Sequence, residues 1–134
     1  METTYKHNTV LLVDDVDLDN FVSKTIIKAF NFSKNIHTVS SSTSALEFLK
    51  KLEDSPALQF PEVIFIDINM PATDGFQFIK NLKRDFEKEL NTYKPKLVIL
   101  TSSIFNSDRQ KAKESFDDIC FIVKPLTEQA LNQI

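Results

Sequence analysis

The sequence contains one glycine and one cysteine among its 134 residues, and this scarcity excludes several kinds of site. The phosphate-binding patterns G-x-G-x-x-G and G-x-x-x-x-G-K-[ST] each need at least two glycines, so neither is present. A single cysteine cannot form an internal disulfide or a cysteine-based zinc site. If this chain handles a phosphoryl group, it must hold that group by other means.

Long apolar runs and basic stripes are also missing. The longest apolar runs have four or five residues, whereas a membrane span needs roughly 18. The segment Met1–Asn8 is polar and has no apolar core of a signal peptide. The net charge is -3 and the pI about 5.4, with no electrostatic footprint for nucleic acid. We therefore expect a cytoplasmic domain that contacts neither a membrane nor nucleic acid.

What is present is the composition of a globular domain, with 42% hydrophobic and 26% charged residues. The length suits one domain over residues 1–134. Short apolar runs alternate along it with longer segments of helical spacing, and this alternation predicts an α/β fold with a parallel sheet and helices on both faces. The predicted strands are Val10–Val13, Asn35–Ser40, Val63–Ile66, Leu97–Leu100 and Ile119–Val123.

The predicted helices differ in how clearly the sequence indicates their caps and their apolar faces. We expect Asp17 to cap the first helix and Ser42 or Thr43 to cap the second. The polar segment Lys88–Lys96 is interpreted as a surface loop or frayed helix end, Ser107–Ser115 as a weak exposed helix and Leu126–Ile134 as a short last helix. The apolar face of the first helix is predicted to consist of Leu18, Phe21, Val22, Ile26, Ala29 and Phe30, and that of the third of Phe76, Ile79, Leu82 and Phe86, with Lys83 at its edge.

Chemically active side chains follow the predicted strands. Ligands bind at the carboxyl ends of the strands in open parallel sheets, and those ends carry Asp14 and Asp15, Asp67, Thr101 and Lys124. Three adjacent carboxylates repel one another, and a hard divalent cation such as Mg²⁺ relieves that repulsion. A phosphoryl group on Asp67 would meet the cation, the hydroxyl and the ammonium, which is what phosphoryl transfer to a carboxylate needs.

Four stretches, in the same order, resemble the receiver domain of two-component response regulators of the chemotaxis type. They are VLLVDD at 10–15, DINMPATDG at 67–75, LTSS at 100–103 and FIVKP at 121–125. The nine-residue second stretch is the most diagnostic. The resemblance covers essentially the whole chain, and it implies a flavodoxin-like fold with a five-stranded parallel sheet in the order 2-1-3-4-5.

The resemblance implies a magnesium site around a phosphoacceptor. Asp67 would accept the phosphoryl group and contact Mg²⁺. Asp15 would bind the metal directly, and Asp14 would bind it through a water molecule. Asn69 would offer its backbone carbonyl to the metal, with its side chain facing the entering water.

The same resemblance implies roles for the residues around the phosphoryl group. Thr101 would hydrogen-bond it and move on phosphorylation, and Phe121 would swing inward behind that threonine. Because Phe121 lacks the hydroxyl of a tyrosine, its part in a switch would depend on packing alone. Lys124 would pair with the phosphoryl group, Pro125 would hold the lysine turn through a cis bond, and Ser103 would tune dephosphorylation.

The implied function is a signalling switch. A sensor histidine kinase or a histidine phosphotransfer protein would supply the phosphoryl group, and the face of the fourth helix, fifth strand and fifth helix would change shape. This domain would not be an enzyme with an independent substrate; it would catalyse its own phosphorylation and slow dephosphorylation. It would act on a downstream protein or an output domain outside this sequence, as a monomer or a phosphorylation-dependent dimer.

Three other functions fit the residues less well. A haloacid-dehalogenase-like phosphatase needs a second acid two residues after its nucleophile, where this chain has Asn69. A flavodoxin-like electron carrier needs a phosphate loop after the first strand, where the acids Asp14 and Asp15 would repel FMN phosphate. A pseudo-receiver, folded but never phosphorylated, would lack acidic-site residues that are all present here.

A few other polar residues and the single glycine are expected to have structural roles, and one aromatic residue is a candidate for partner contact. Asp17 and Asp19 are interpreted as charges that favour the start of a helix, and Asp74 is expected to cap or to position the turn into the third helix. Gly75 is expected to provide a backbone conformation or a close approach that a side chain would block. Phe105 could be exposed and contact partners.

Overall fold

The computed structural model describes residues 3–55, 59–71, 73–102, 105–116 and 118–134. None of the helices in these ranges combines the length and apolar character that crossing a membrane requires. In chain order the elements are β1 (His7–Val13), α1 (Asp17–Ala29), β2 (Ser33–Val39), α2 (Ser42–Leu52), β3 (Val63–Ile66), α3 (Gly75–Asp85), α4 (Glu87–Tyr93), β4 (Lys96–Thr101), α5 (Asn106–Ser115), β5 (Cys120–Val123) and α6 (Glu128–Asn132).

The five strands form one parallel sheet in the order β2-β1-β3-β4-β5, which confirms the predicted topology. β1 and β3 run through its centre, and the four residues of β3 are all buried. Apolar runs without polar alternation are typical of strands covered on both faces. The polar β2 lies at an edge, which is why its sequence alternates.

Two apolar layers pack on opposite faces of the sheet because successive strand side chains point to opposite sides. In β1, Leu11 and Val13 belong to one layer, while Val10 and Leu12 belong to the other. The first layer also takes side chains from α2, α3 and α5, and the second takes Ile27 of α1 and Leu131 of α6. The sheet is therefore covered by helices on both faces, as predicted.

Helix α1 is oriented differently from the prediction. The predicted apolar face is largely in solvent, with Leu18 67% and Phe21 68% exposed, and the helix instead buries Asn20, Ser23 and Ile27. The Asn20 amide donates to the Asp14 carbonyl at 2.9 Å and to the Val39 carbonyl at 3.3 Å. These two polar contacts fix which face of α1 meets the sheet, and an apolar pattern cannot report them.

The helix caps also differ in part from the prediction. Val16, not Asp17, occupies the N-cap position of α1, and no side chain caps it. Ser41 caps α2 in place of Ser42 or Thr43, by accepting the Ser44 backbone N–H at 3.0 Å. Ser42 itself is helical and buried.

A further helix, α4, occupies the segment interpreted as a loop or frayed end. Leu90 packs partly buried against the first apolar layer, and the Tyr93 ring stacks on Phe60 with centroids 5.3 Å apart. Lys94 ends the helix in the left-handed conformation, with φ of 49°. One apolar anchor and one ring contact thus stabilise a segment that looks polar in sequence.

Candidate functional site

Three aspartates meet at the carboxyl edge of the sheet, where the strand ends were expected to bring them together. Asp14 and Asp15 follow β1 and Asp67 follows β3, and one carboxylate oxygen of each lies within 4.8 Å of the others. Asp14 and Asp67 are buried, being 6% and 5% exposed. Backbone bonds place them, since the Asp14 N–H donates to Val39 and the Asp67 N–H to Val13.

Lys124 brings a positive charge into this acidic pocket. Its Nζ donates to Asp14 Oδ2 at 2.5 Å and to Asp19 Oδ2 at 2.8 Å, and lies 3.6 Å from Asp67 Oδ2. The Lys124 backbone N–H donates to the Thr101 carbonyl at 2.7 Å, which ties the residue to the end of β4. The next peptide bond, Lys124–Pro125, is cis, as the resemblance implied.

The charges in the pocket shift one another's pKa values. Burial raises the pKa of Asp14, and the nearby Asp67 carboxylate raises it further, against the lowering effects of Lys124 and the Val16 N–H. Burial alone would lower the pKa of Lys124, but its hydrogen bonds to Asp14 and Asp19 and the charge of Asp67 raise it overall. The lysine is therefore charged at neutral pH. Its single positive charge lies among several carboxyl groups.

The donor set fits a hard divalent cation. Its oxygens come from Asp14, Asp15 and Asp67, and Mg²⁺ takes oxygen ligands. Asp15 Oδ1 is buried and has no hydrogen-bond partner among the described residues. A buried carboxylate oxygen without a partner is costly, and a cation beside it would satisfy this atom. The three aspartates could therefore hold the metal that the sequence predicted.

Thr101 and Asn69 complete the polar wall of the pocket. Thr101 is fully buried at the end of β4, and its hydroxyl accepts a bond from Asn69 Nδ2 at 3.4 Å. The Asn69 N–H donates to Asp67 Oδ1 at 3.2 Å. The Asn69 side chain thus reaches Thr101, one strand away, while its backbone orients the Asp67 carboxylate.

Phe121 lies on β5, the strand paired with the end of β4. Its ring is half-buried against the first apolar layer, and the Arg109 guanidinium of α5 lies 5.1 Å from its centroid. Phe105, just before α5, is 70% exposed, as anticipated. Ser103 lies outside the described residues.

The turn from Asp67 into α3 depends on the single glycine. A Cβ on Gly75 would lie 2.6 Å from the Asp67 carbonyl oxygen and 2.8 Å from Ile68 Cα. The Gly75 N–H donates to the Ile68 carbonyl at 3.1 Å, and Asp74 caps the helix as predicted, by accepting the Gln77 N–H at 2.8 Å. Of the two roles expected for this glycine, the structure supports close approach.

Two residues of this site were not recognised in the sequence. Asp19 lies in the first turn of α1 as expected but also binds Lys124, and Asn20 holds the loop that carries Asp14. The only available signal was position, because the first turn of a helix that follows a strand lies beside the carboxyl edge of the sheet. Their contacts arise only from the fold.

A cavity in the described ranges lies away from this pocket. It has a volume of about 630 Å³, and α4 and the starts of β4 and β5 border it, with Leu90, Leu97 and Ile119 among its lining. The acidic pocket instead consists of converging polar groups, and the cavity that Asp14 and Asp67 help to line has a volume of only about 10 Å³. Such a site suits a small charged group more than a bulky organic substrate.

Known proteins share both the sequence and this architecture. The family described as "Response regulator receiver domain" matches residues 10–134. A two-component response regulator from Cytophaga hutchinsonii superposes with a TM-score of 0.84 at 36% identity, covering 94% of this chain and 92% of that one. The chemotaxis protein CheY4 of Vibrio cholerae, at 23% identity and a TM-score of 0.69 over 95% of this chain and 94% of that one, shares the fold.

The curated relatives are longer proteins. Hybrid signal transduction histidine kinase D of Dictyostelium discoideum is 33% identical over 114 residues, which are 83% of this chain and 7% of that protein. A protein-glutamate methylesterase/protein-glutamine glutaminase of Pseudomonas savastanoi is 27% identical over 91% of this chain and 30% of that protein. The chain thus spans less than a third of the length of these relatives.

Proposed function

The chain belongs to the response regulator receiver domain family, and from this premise we propose that Asp67 accepts a phosphoryl group from a phosphohistidine. Receiver domains partner with histidine kinases or histidine phosphotransfer proteins, which would be the donors. The observation that carries the proposal is the pocket itself, in which the buried Asp67 carboxylate faces Lys124 and two further acids.

The proposed reaction is an in-line phosphoryl transfer. A lone pair of an Asp67 carboxylate oxygen forms the new O–P bond while the P–N bond to the donor imidazole breaks. The bonding pair leaves with the imidazole nitrogen, which takes up a proton from solvent, so that neutral histidine and aspartyl phosphate result. The Asn69 N–H, which donates to Asp67 Oδ1, orients the attacking carboxylate.

Charge neutralisation is the main catalytic requirement of such a transfer. We propose Mg²⁺ bound by Asp15 and Asp67, with Asp14 acting through water and Asn69 through its carbonyl; when bound, it neutralises phosphoryl oxygens. Lys124 supplies a second positive charge 3.6 Å from Asp67 Oδ2. The Thr101 hydroxyl would donate to a phosphoryl oxygen from the adjacent strand end.

The proposed output is a change on the face formed by α5, β5 and α6, which corresponds to the predicted fourth helix, fifth strand and fifth helix. When Thr101 turns toward the phosphoryl group, it vacates space toward which the half-buried Phe121 ring can move. Helix α5 buries only Ala112 among its residues, so few contacts oppose its displacement. A few kcal/mol of new contacts would shift such an equilibrium.

The phosphodonor would dock on the exposed apolar residues of α1. A donor histidine must reach Asp67, so the protein around it must cover the elements beside the pocket. Leu18 and Phe21 are exposed on α1, and Asp19 of the same helix reaches into the pocket to Lys124. The donor's contact surface and the reaction site are thus continuous.

The domain would act as a switch and not as an enzyme with its own substrate. Its slow dephosphorylation would reset it, with Ser103 in the tuning position. The regulated target would be a downstream protein or an output domain, and the switched face would bind it as a monomer or as a phosphorylation-dependent dimer.

The proposal is tested by labelling with acetyl phosphate and Mg²⁺, followed by intact-mass measurement. We expect a mass increase of one phosphoryl group, in a reaction that releases acetate. Asp67→Asn should abolish the increase, and EDTA should block it. Asp54→Asn is the matched control, because Asp54 is an exposed aspartate just after α2 and should leave labelling unchanged.

Each result has a defined meaning. Labelling that survives in Asp67→Asn places the acceptor elsewhere and contradicts the proposal. Labelling that is unaffected by EDTA removes Mg²⁺ from the mechanism. An unmodified chain that takes up no phosphoryl group would instead behave as a pseudo-receiver.

A further inference from the structure

The ammonium of Lys124 is shared unequally among three carboxylates. It donates hydrogen bonds to Asp14 at 2.5 Å and to Asp19 at 2.8 Å. Its distance to Asp67, 3.6 Å, exceeds that of a hydrogen bond. In the unphosphorylated chain, the lysine is therefore hydrogen-bonded to Asp14 and Asp19, while its contact with Asp67 is a longer ion pair.

Asp14 holds Lys124 in the pocket independently of Asp19, through a hydrogen bond of its own. The Lys124 side chain is already 12% exposed and bonded to Asp14, whose side chain is 8% exposed. Asp19 lies at the solvent side of the pocket, with its side chain 37% exposed. The hydrogen bond to Asp19 is therefore a second one on an ammonium that Asp14 already binds.

We propose that Asp19 is a positioning residue that competes with the phosphoryl group for Lys124. An arriving phosphoryl group needs the Lys124 ammonium, so the bond between Asp19 and Lys124 must break before the lysine can neutralise the new charge. Asp19 would thereby slow phosphorylation and lower the stability of the phosphorylated state. This inference rests on the proposed phosphorylation of Asp67.

The competition has a predictable size. A partly exposed ion pair contributes about 0.2–1 kcal/mol, which corresponds to a rate change of about 1.5- to fivefold. Replacing the Asp19 carboxylate by the neutral amide of Asn should increase the rate of labelling by acetyl phosphate by this factor. Asp19→Glu, which keeps the charge, should restore a rate close to that of the unmodified chain.

The experiment compares initial labelling rates at saturating Mg²⁺ for the unmodified chain, Asp19→Asn and Asp17→Asn. Asp17 is the matched control because it lies in the same helical turn, is exposed, and makes no ion pair with Lys124 in the described structure. Both variants lose one negative charge, so a general repulsion of the anionic donor would affect both. Only Asp19→Asn should be faster.

A second background separates competition for Lys124 from other effects. In Lys124→Met there is no ammonium to release, so adding Asp19→Asn should leave the slowed labelling rate unchanged. An equal acceleration in both backgrounds, or slower labelling in Asp19→Asn alone, overturns the inference. Absence of labelling in the unmodified chain contradicts the proposed function and this inference together, whereas labelling with no effect of Asp19→Asn contradicts the inference alone.

Discussion

At the scale of single residues, the position of the loop that carries Asp67 depends on the absence of a side chain at Gly75. The backbone at Gly75 approaches the Asp67 carbonyl so closely that a Cβ would lie 2.6 Å from its oxygen. That oxygen is a backbone atom, which cannot move aside as the end of a flexible side chain can. The start of α3 can therefore pack against the Asp67–Ile68 peptide only if residue 75 is glycine.

We predict that Gly75→Ala displaces this loop and impairs the site. Unfolding free energy should fall by about 1–3 kcal/mol, as for overpacking of a close contact, and acetyl phosphate labelling of Asp67 should slow. Chemical denaturation and intact-mass kinetics measure the two effects. Asp74→Ala, which removes only the cap bond to Gln77, should cost about 1 kcal/mol without slowing labelling. Equal labelling in the two variants would show that the close approach at Gly75 does not position Asp67.

At the scale of elements, polar contacts decide how α1 faces the sheet. Asn20 bonds to two backbone carbonyls at the strand ends, and the small Ser23 is buried on the same side. Only Ile27 supplies a fully buried large apolar side chain on this helix. These contacts leave Leu18 and Phe21 in solvent, where the proposed phosphodonor would dock.

This arrangement predicts opposite results for two substitutions in one helix. Ile27→Ala should reduce the free energy of unfolding by about 2–4 kcal/mol, because it empties a buried site. Phe21→Ser should change it by no more than about 0.5 kcal/mol, because the ring is already in solvent. Urea denaturation of both variants is the measurement. A large loss in Phe21→Ser would mean that this ring is buried in solution.

Helices α3 and α5 differ in how firmly they are attached. Helix α3 buries five residues, including Phe76, Phe78 and Leu82, whereas α5 buries only Ala112. The contact between Arg109 and the Phe121 ring adds a partly exposed interaction at α5. A helix with so few anchors is suited to a switching face.

We therefore predict weaker protection from hydrogen exchange in α5 than in α3. The backbone amides of α5 should exchange at least about tenfold faster, because local opening there exposes little apolar surface. Hydrogen–deuterium exchange with peptide-level mass spectrometry would detect this difference. Equal protection of the two helices would contradict a loosely attached α5.

At the scale of the whole molecule, the parallel sheet creates a local excess of negative charge. Parallel strands place their carboxyl ends at the same edge, so Asp14, Asp15 and Asp67 meet there although they are far apart in sequence. Lys124 offsets part of this charge. The buried oxygen of Asp15, which has no partner among the described residues, adds a further cost. A bound cation would lower both costs in the folded state alone.

Mg²⁺ should therefore stabilise the fold. A ligand at about ten times its dissociation constant adds about 1.4 kcal/mol to the free energy of unfolding, or about 4–6 °C in Tm for a domain of this size. Thermal unfolding with MgCl₂, against NaCl of equal ionic strength, measures the shift. Asp15→Asn should lose most of it and Asp54→Asn should keep it. An unchanged shift in Asp15→Asn would mean that Asp15 does not bind the metal.

The sequence pattern was sufficient for the α/β class with a parallel sheet and for the principal site residues, and the strand order followed from the resemblance to receiver domains. Apolar runs without alternation mark strands buried on both faces, and the residues after those strands must share one edge of the sheet. The central strand β3 was predicted with its observed bounds, Val63–Ile66. Asp14, Asp67 and Lys124 were predicted to converge and do so. This information is local, because the apolar pattern that indicates a buried strand and the residue that follows the strand lie within a few positions of each other.

Only the tertiary structure decided how helices face the sheet and which charges bond to each other. The orientation of α1 depends on Asn20 bonding to the distant carbonyl of Val39, and the helix α4 depends on packing of Leu90 against the core. Whether Lys124 binds Asp19 or Asp67 is a matter of less than 1 Å between residues more than fifty positions apart in sequence. Such distances result from the packing of the whole chain, because no short stretch of sequence contains both partners of the bond.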